Sequence, residues 1–380
     1  MHAIRWSIRG TTALLLASAV LSLPAQTPAP QPGGFIYQPI DNGRALPGTP
    51  RNSHASTVAE LKDGDILAAW FAGTREGAPD VAIYSARQHN GVWSAPIELA
   101  RADGVPCWNP VLFHTLDGRL WLYYKYGKKP DSWAGARKFS NDEGRTWSPE
   151  DRLPAWILGP IKDKPLVLPN GVVVSGSSVE SPGSWNAFVE RSTDNGRTWT
   201  KFGPITIPEQ SDIPNDSLIA SIRKDLSPSG DTYPPRETTV GIIQPAVVSL
   251  GKHHLRFYAR SQTRSALIAV SDSKDDGKTW TQARFIPVPN PNSGIDAVGL
   301  KDGRVVLVFN NSFDKRTPLD LALSQDGEHF HIFKTLEDAP GEYSYPAIVQ
   351  AANGDLLITY TWRRQTIKFV RVPLADIPTN

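Results

Sequence analysis

The sequence predicts an all-β protein, a six-bladed β-propeller of four-stranded antiparallel blades. Three observations predict it. A short turn motif recurs, an apolar hairpin pattern recurs upstream of it, and no segment keeps a helical period over ten residues or more.

The turn motif is Ser-x-Asp-x-Gly-x-Thr-Trp. It stands complete as "SNDEGRTW" (140–147), "STDNGRTW" (192–199) and "SKDDGKTW" (273–280), and degenerate as "SARQHNGVW" (85–93) and "SQDGEHF" (324–330). Ser and Asp side chains bond nearby backbone groups, Gly takes a positive φ, and the aromatic ring plugs the layer beneath. The acids Asp142, Asp194 and Asp275 are therefore structural members of a hairpin turn between outer strands.

The hairpin pattern is a polar or aromatic residue, a short apolar strand, a Gly-containing turn and an alternating strand. It opens at His54, Asn109, Lys164, Gln244, Asp296 and Tyr345, six copies about fifty residues apart. Such a period, with about four strands per copy, indicates a propeller. The stretch 207–235 is an insertion at one end of a blade. "FIYQPI" (35–40) is expected to close the ring by joining the last blade.

The N-terminus carries Arg5 and Arg9, then an apolar run from about Thr12 to Leu23 and small residues near Ala25. This is the pattern of a secretory signal peptide over 1–25, followed by a flexible leader over 26–44 and the propeller over 45–375. Secretion or export to a periplasm is the expectation, with no membrane attachment after cleavage. Losing residues 1–25 removes two positive charges and no acids, so the net charge falls from +2 to 0. A neutral chain gives no electrostatic reason to bind nucleic acid. Cys107 is the only cysteine, which rules out an internal disulfide and C-x-x-C metal motifs. A monomer is expected.

In a propeller the six opening residues face one funnel. His54, Asn109, Lys164, Gln244, Asp296 and Tyr345 would line it with functional groups, where simple propellers use small residues. Trp108, Lys162, Ser293, Tyr343 and Glu76 fall at comparable strand or loop ends. Convergent polar groups in a concavity make a binding site. Phosphate loops, Gly-x-Ser-x-Gly and metal-ligand spacings are absent, so neither metal nor cofactor is expected. His253 and His254 are strand neighbours and point to opposite faces. Trp108, Trp133, Trp156, Trp185 and Trp362 lie in or near loops, where flat rings can stack on sugars. Sugar binding with acid/base chemistry uses most of these features.

With these residues in place, the chain resembles the sialidase superfamily over about 45–372, whose propellers carry such turns (Asp-boxes). The resemblance implies arginines that hold a substrate carboxylate, with Arg260 in "FYARS" and Arg316 in "KRTPLDLALS" at two of the family's places. His54 in "NSHASTV" stands where the family's first arginine would be. The nucleophilic tyrosine maps to Tyr343 in "EYSYPAIV", and its glutamate partner to Gln244. The acid/base carboxylate falls in "GTREGAPDVAI", with Glu76 first and Asp80 second. A phenol of pKa near 10 needs a base to attack at neutral pH, and Gln244 cannot be that base.

The resemblance implies a secreted glycoside hydrolase acting on an acidic oligosaccharide or glycoconjugate that carries a sialic or uronic acid. Tyr343, Glu76, His54 and Asp80 are the catalytic candidates. Arg260, Arg316, Gln244, Asn109, Lys162, Lys164, Trp108, Asp296 and Tyr345 are the substrate-binding candidates. Two alternatives keep the same site. One is a uronic-acid lyase using His54 and Tyr343 for β-elimination, and the other is a glycan-binding propeller without turnover.

Overall fold

The computed structural model describes residues 33–37, 52–207, 240–263 and 265–379. Among the described residues there is no α-helix, only two short 3₁₀ turns at Pro130–Ser132 and Leu374–Asp376. The expected signal peptide and nearly all of the 207–235 insertion lie outside the described residues.

After β1 (Gly33–Phe35) the strands fall into six runs. The first is β2 (Asn52–Glu60), β3 (Ile66–Gly73) and β4 (Ala82–His89), with β5 (Val92–Trp93) and β6 (Ile97–Ala100) both paired to β4. The second is β7 (Cys107–His114), β8 (Leu120–Tyr126), β9 (Ala134–Ser140) and β10 (Asp151–Arg152). The third is β11 (Leu166–Val167), β12 (Val173–Ser181), β13 (Ser184–Ser192) and β14 (Thr200–Ile205). The fourth is β15 (Val240–Ser249), β16 (Leu255–Gln262), β17 (Leu267–Ser273) and β18 (Arg284–Pro289). The fifth is β19 (Asp296–Gly299), β20 (Val305–Asn310), β21 (Leu319–Ser324) and β22 (His331–Glu337). The sixth is β23 (Tyr343–Gln350), β24 (Leu356–Trp362) and β25 (Thr366–Val372).

Every run is an antiparallel meander, and β1 pairs with β25 to give the sixth its fourth strand. The leader is therefore not wholly outside the fold. The joining strand is Gly33–Phe35 rather than 35–40, and Ile36 N–H continues the pairing to Ile367 O at 2.9 Å. The six runs make five sheets. A two-residue parallel pairing, Ser184↔Val240 and Trp185↔Gly241, merges the third and fourth runs into one eight-stranded sheet.

The core is divided between the runs. Separate apolar clusters lie between the first and second (Phe71, Leu112), second and third (Phe113, Val173), and third and fourth (Val189, Phe257). Others lie between the fourth and fifth (Tyr258, Leu307) and the fifth and sixth (Leu321, Ile358), and one joins the sixth to the first (Phe369, Trp70). Middle strands are thus covered on both faces. "ILAAWFAG" in β3 is buried at every position, so it is continuously apolar instead of alternating, while β10 and β22 at the outer edges are exposed or half-buried.

The recurrent turns adopt one geometry. Ser140 Oγ donates to Asp142 Oδ1 at 2.7 Å and accepts from Gly144 N–H, and Asp142 binds Thr146 through its N–H and hydroxyl. The same pattern recurs at Ser192/Asp194/Thr198 and Ser273/Asp275/Thr279. These hydrogen bonds hold all three carboxyls below the usual range.

Four leading strands carry a bulge near their start. Ala55, Asn109, Gln244 and Tyr345 have φ of 53°, 34°, 55° and 51°, each at a register break with the next strand. A bulge of this kind turns a side chain out of the normal alternation.

Candidate functional site

The bulge at Tyr345 decides which tyrosine enters the site. In a regular strand residues i and i+2 share a face, so Tyr345 would follow Tyr343. Tyr343 packs in the apolar cluster between the fifth and sixth runs at 1% exposure, its hydroxyl 3.3 Å from Arg363 Nη2. The left-handed φ turns Tyr345 away from that cluster. Its hydroxyl accepts a hydrogen bond from Arg260 Nη1 at 2.7 Å, and Gln244 Nε2 lies 3.4 Å away. The structure thus places Tyr345, and not Tyr343, beside Arg260 and Gln244.

Three cations stand around Tyr345, and a fourth is bridged to them. Arg260 and Arg316 have Cζ atoms 5.8 and 5.9 Å from its ring centroid, and Lys162 Nζ is 6.0 Å away. Arg364, from the β24–β25 turn, is linked to Arg316 through Glu342: Oε1 accepts Arg316 Nη1 at 2.7 Å and Arg364 Nε at 2.9 Å. Arg364 also donates to Glu76 through Nη1. Arg260 and Arg316 meet at Asn292, the first on its side chain at 2.8 Å and the second on its carbonyl at 3.4 Å. Burial alone would raise the Glu342 carboxyl, but Arg316 and Arg364 outweigh it and hold it low.

His54 lies against Tyr345 with ring centroids 4.3 Å apart. Its Nδ1 is 2.9 Å from Thr361 Oγ1, while the buried Nε2 has no hydrogen-bond partner among the described residues. Burial first, then Arg364, Arg316, Arg260 and Lys162, push its pKa well below the usual value, so it is neutral at pH 7.

Glu180, at the end of β12, is a third carboxyl of the pocket, after Glu342 and Glu76. Burial raises it to about 7, against the opposing pull of Arg260 and a hydrogen bond with Gln244, and Glu76 adds to the rise. Trp185, its cross-strand partner, lies under Arg260 with Cζ 5.1 Å from the ring. An open cleft of about 550 Å³ begins at Arg316 and Glu342 and extends past Lys315, Asp338 and Pro340.

Arg260, Arg316, Gln244, His54 and Tyr345 thus come together, with Lys162 beside Tyr345 and Glu76 reached through Arg364. The remaining candidates, and the Lys162 ammonium itself, are engaged elsewhere. Asp80 is exposed and closes its own loop by accepting Thr74 N–H and hydroxyl, which lowers its pKa. Lys162 Nζ is fully engaged by Asp163 Oδ1 (2.6 Å) and the carbonyls of Ile295 and Pro346 (2.5 and 2.6 Å). Lys164 is bound to Asp296 at 3.0 Å, and Asp296 also accepts Ile348 N–H. Asn109 donates to Ile161 O at 3.2 Å. These polar groups tie the leading strands to one another. Trp108 is buried against Phe71 and Trp133, with Nε1 on Gly127 O. His253 and His254 point to separate carboxylates, Asp276 and Asp272. Among the described residues no group of three His, Cys, Asp or Glu is placed to hold a metal ion.

Arg364, Glu342, Glu180 and Asn292 escaped the sequence reading. Glu342 directly precedes "YSYP", and Arg364 lies in "TWRRQT", a hairpin turn with two adjacent arginines. Only the stacking of runs shows that the turn of the sixth reaches the fifth.

The sequence model of the family described as "BNR repeat-like domain" matches residues 64–358. The chain belongs to the BNR repeat-like domain family. This BNR protein falls in the sialidase superfamily, and it is 28% identical over 192 residues to a sialidase from Micromonospora viridifaciens. That match spans 50% of this chain and only 26% of the relative's length. The BNR chain is also similar in structure to the NanB sialidase from Streptococcus pneumoniae (TM-score 0.66, 14% identity, 92% of this chain and 71% of that one). A protein of unknown function from Dyadobacter fermentans is similar at TM-score 0.66 and 17% identity over 85% of this chain and 94% of that one. At such identities the structural likeness speaks to the fold alone.

Proposed function

We propose that this BNR protein is a secreted, six-bladed β-propeller glycoside hydrolase that acts on an acidic oligosaccharide or glycoconjugate. Support for the propeller comes from six strand runs separated by six apolar clusters, the last joining the sixth run to the first. The observation that carries the function is the chain Arg260–Asn292–Arg316–Glu342–Arg364 beside Tyr345. Two guanidinium groups at one phenol, with a third bridged to them by Glu342, suit the carboxylate of a sialic or uronic acid, since each offers planar, paired donors.

In this reading the substrate carboxylate displaces Glu76 from Arg364 and lies between the three arginines. Glu180 takes the Tyr345 proton as base, its pKa of about 7 matching that task. The phenolate, held by Arg260, attacks the anomeric carbon. The glycosidic C–O bond breaks as Glu76, which takes a proton from solvent once the substrate carboxylate replaces it on Arg364, donates that proton to the leaving oxygen. Water then cleaves the tyrosyl–sugar bond. The test is release of free acidic sugar from sialosides and uronides, lost on Tyr345→Phe. A panel that yields no sugar with the wild type removes the hydrolase reading.

A second reading, β-elimination at a uronic acid, is favoured by His54. Its neutral, unpartnered Nε2 beside Tyr345 can accept the proton α to the carboxylate while Tyr345 protonates the departing oxygen. C–H and C–O bonds break and a C=C bond forms, giving an ultraviolet-absorbing product. Saturated products alone dismiss it.

A further inference from the structure

Trp156 sits where the fold gains nothing from a tryptophan. Its side chain belongs to the most exposed large hydrophobic residue among those described, at 85% exposure. It occupies the third position of a turn closed by Ile157 N–H to Pro154 O at 3.1 Å, with φ of 76°. That conformation belongs to glycine in type II turns, and an aromatic side chain adopts it only under strain. Exposing a large ring and straining the backbone are two separate costs. No ring stacking or hydrogen bond of the indole among the described residues offsets them.

The turn is held rigidly all the same. Glu190, fully buried, accepts the N–H groups of Leu158 and Gly159 at 3.1 and 2.7 Å. Lys201 Nζ donates to the Trp156 carbonyl at 2.8 Å and also lies 3.3 Å from Glu190. Gly159, with φ of 65°, packs so close to Tyr123 that a Cβ there would meet its ring at 2.5 Å. Strain that the surroundings enforce, at an exposed aromatic, is a mark of a binding position. The same segment continues to Lys162 beside Tyr345, so six residues of chain, at most about 20 Å, separate the two.

We propose that Trp156 is a stacking platform for a sugar ring of a glycan whose acidic unit lies at Tyr345. The inference rests on the glycan reading of the Tyr345 pocket. The indole face takes a pyranose ring, while Lys201 and Glu190 hold the turn that presents it. The substrate is then a chain of several units rather than a single glycoside.

The experiment measures binding of sialylated and uronic-acid oligosaccharides of increasing length to the full chain, to Trp156→Gly, to Trp156→Phe and to Arg316→Ala. Trp156→Gly relieves the left-handed turn, so its thermal midpoint should match or exceed the wild type. Its affinity should fall roughly three- to ten-fold for long chains only, with Trp156→Phe restoring most of it. Equal affinity of Trp156→Gly and the wild type at every length overturns the platform, while loss on Arg316→Ala would keep the pocket reading. Loss on Trp156→Gly with none on Arg316→Ala keeps the platform and overturns the pocket. Failure of the wild type to bind any acidic glycan overturns both.

Discussion

The Tyr345 hydroxyl accepts a hydrogen bond from Arg260 Nη1 at 2.7 Å, whereas Tyr343, two residues earlier, is buried in an apolar cluster. A guanidinium on the phenol oxygen fixes the reactive atom among the arginines. Tyr345→Phe should therefore lower turnover by about 10² or more while the fold persists. Tyr343→Phe should leave turnover near the wild type and cost only about 1 kcal/mol of stability. Steady-state kinetics and thermal unfolding of both variants check this, and the reverse pattern would return the role to Tyr343.

Arg364 is held by Glu76 and Glu342 together. A lysine there has one point charge and cannot bridge both acids in the same plane. Arg364→Lys should raise KM about ten- to hundred-fold with a smaller change in kcat, because the loss falls on carboxylate binding. Glu76→Gln, in contrast, should lower kcat more than it raises KM. An unchanged KM in Arg364→Lys would mean that the substrate carboxylate does not meet this guanidinium.

Glu180 has a folded pKa raised from 4.5 to about 7, chiefly by burial. As the base it must be ionised, so kcat/KM should rise with pH up to about 7 and then level, and Glu180→Gln should abolish that limb along with most activity. For stability the folded state holds this proton more tightly than the unfolded chain. Stability is therefore lost as pH rises from about 4.5 through 7. Glu180→Gln should be more stable than the wild type at pH 8, by about 1–2 kcal/mol, and equal to it at pH 4. A variant less stable at pH 8 would contradict the burial account.

The turn aspartates act in the opposite sense. Asp142, Asp194 and Asp275 have folded pKa values below the unfolded one. Their contribution is present above about pH 4 and is lost as pH falls through the folded values. Asp194→Asn should lower the thermal midpoint at pH 7 and narrow the gap to the wild type at pH 2. A constant gap across that range would assign the loss to something other than the charged hydrogen bonds.

Much of this protein was legible in its residues because the signals are local. Ser, Asp, Gly and Thr at fixed offsets make a turn by bonding their own backbone, so "STDNGRTW" announces its hairpin wherever it occurs. The period of the copies predicted the six strand runs, and the resemblance to sialidases pointed to Arg260 and Arg316. The alternation expected for "ILAAWFAG" failed for a non-local reason: neighbouring runs cover both its faces.

The ring of opening residues shows the limit most clearly. Lys164 and Asp296 were equivalent by pattern to Gln244 and Tyr345, yet they pair with each other and tie strands together. A pattern states that a polar group is present, and only its partners decide whether it is free to meet a ligand. The residues by themselves determined the β architecture and the turns, and their resemblance to a known family pointed to two of the pocket arginines. Tertiary structure decided that Tyr345 and not Tyr343 enters the pocket, because one left-handed φ turns it there. It also decided that Glu342 joins Arg364 to Arg316, since contact between runs follows from packing and not from spacing.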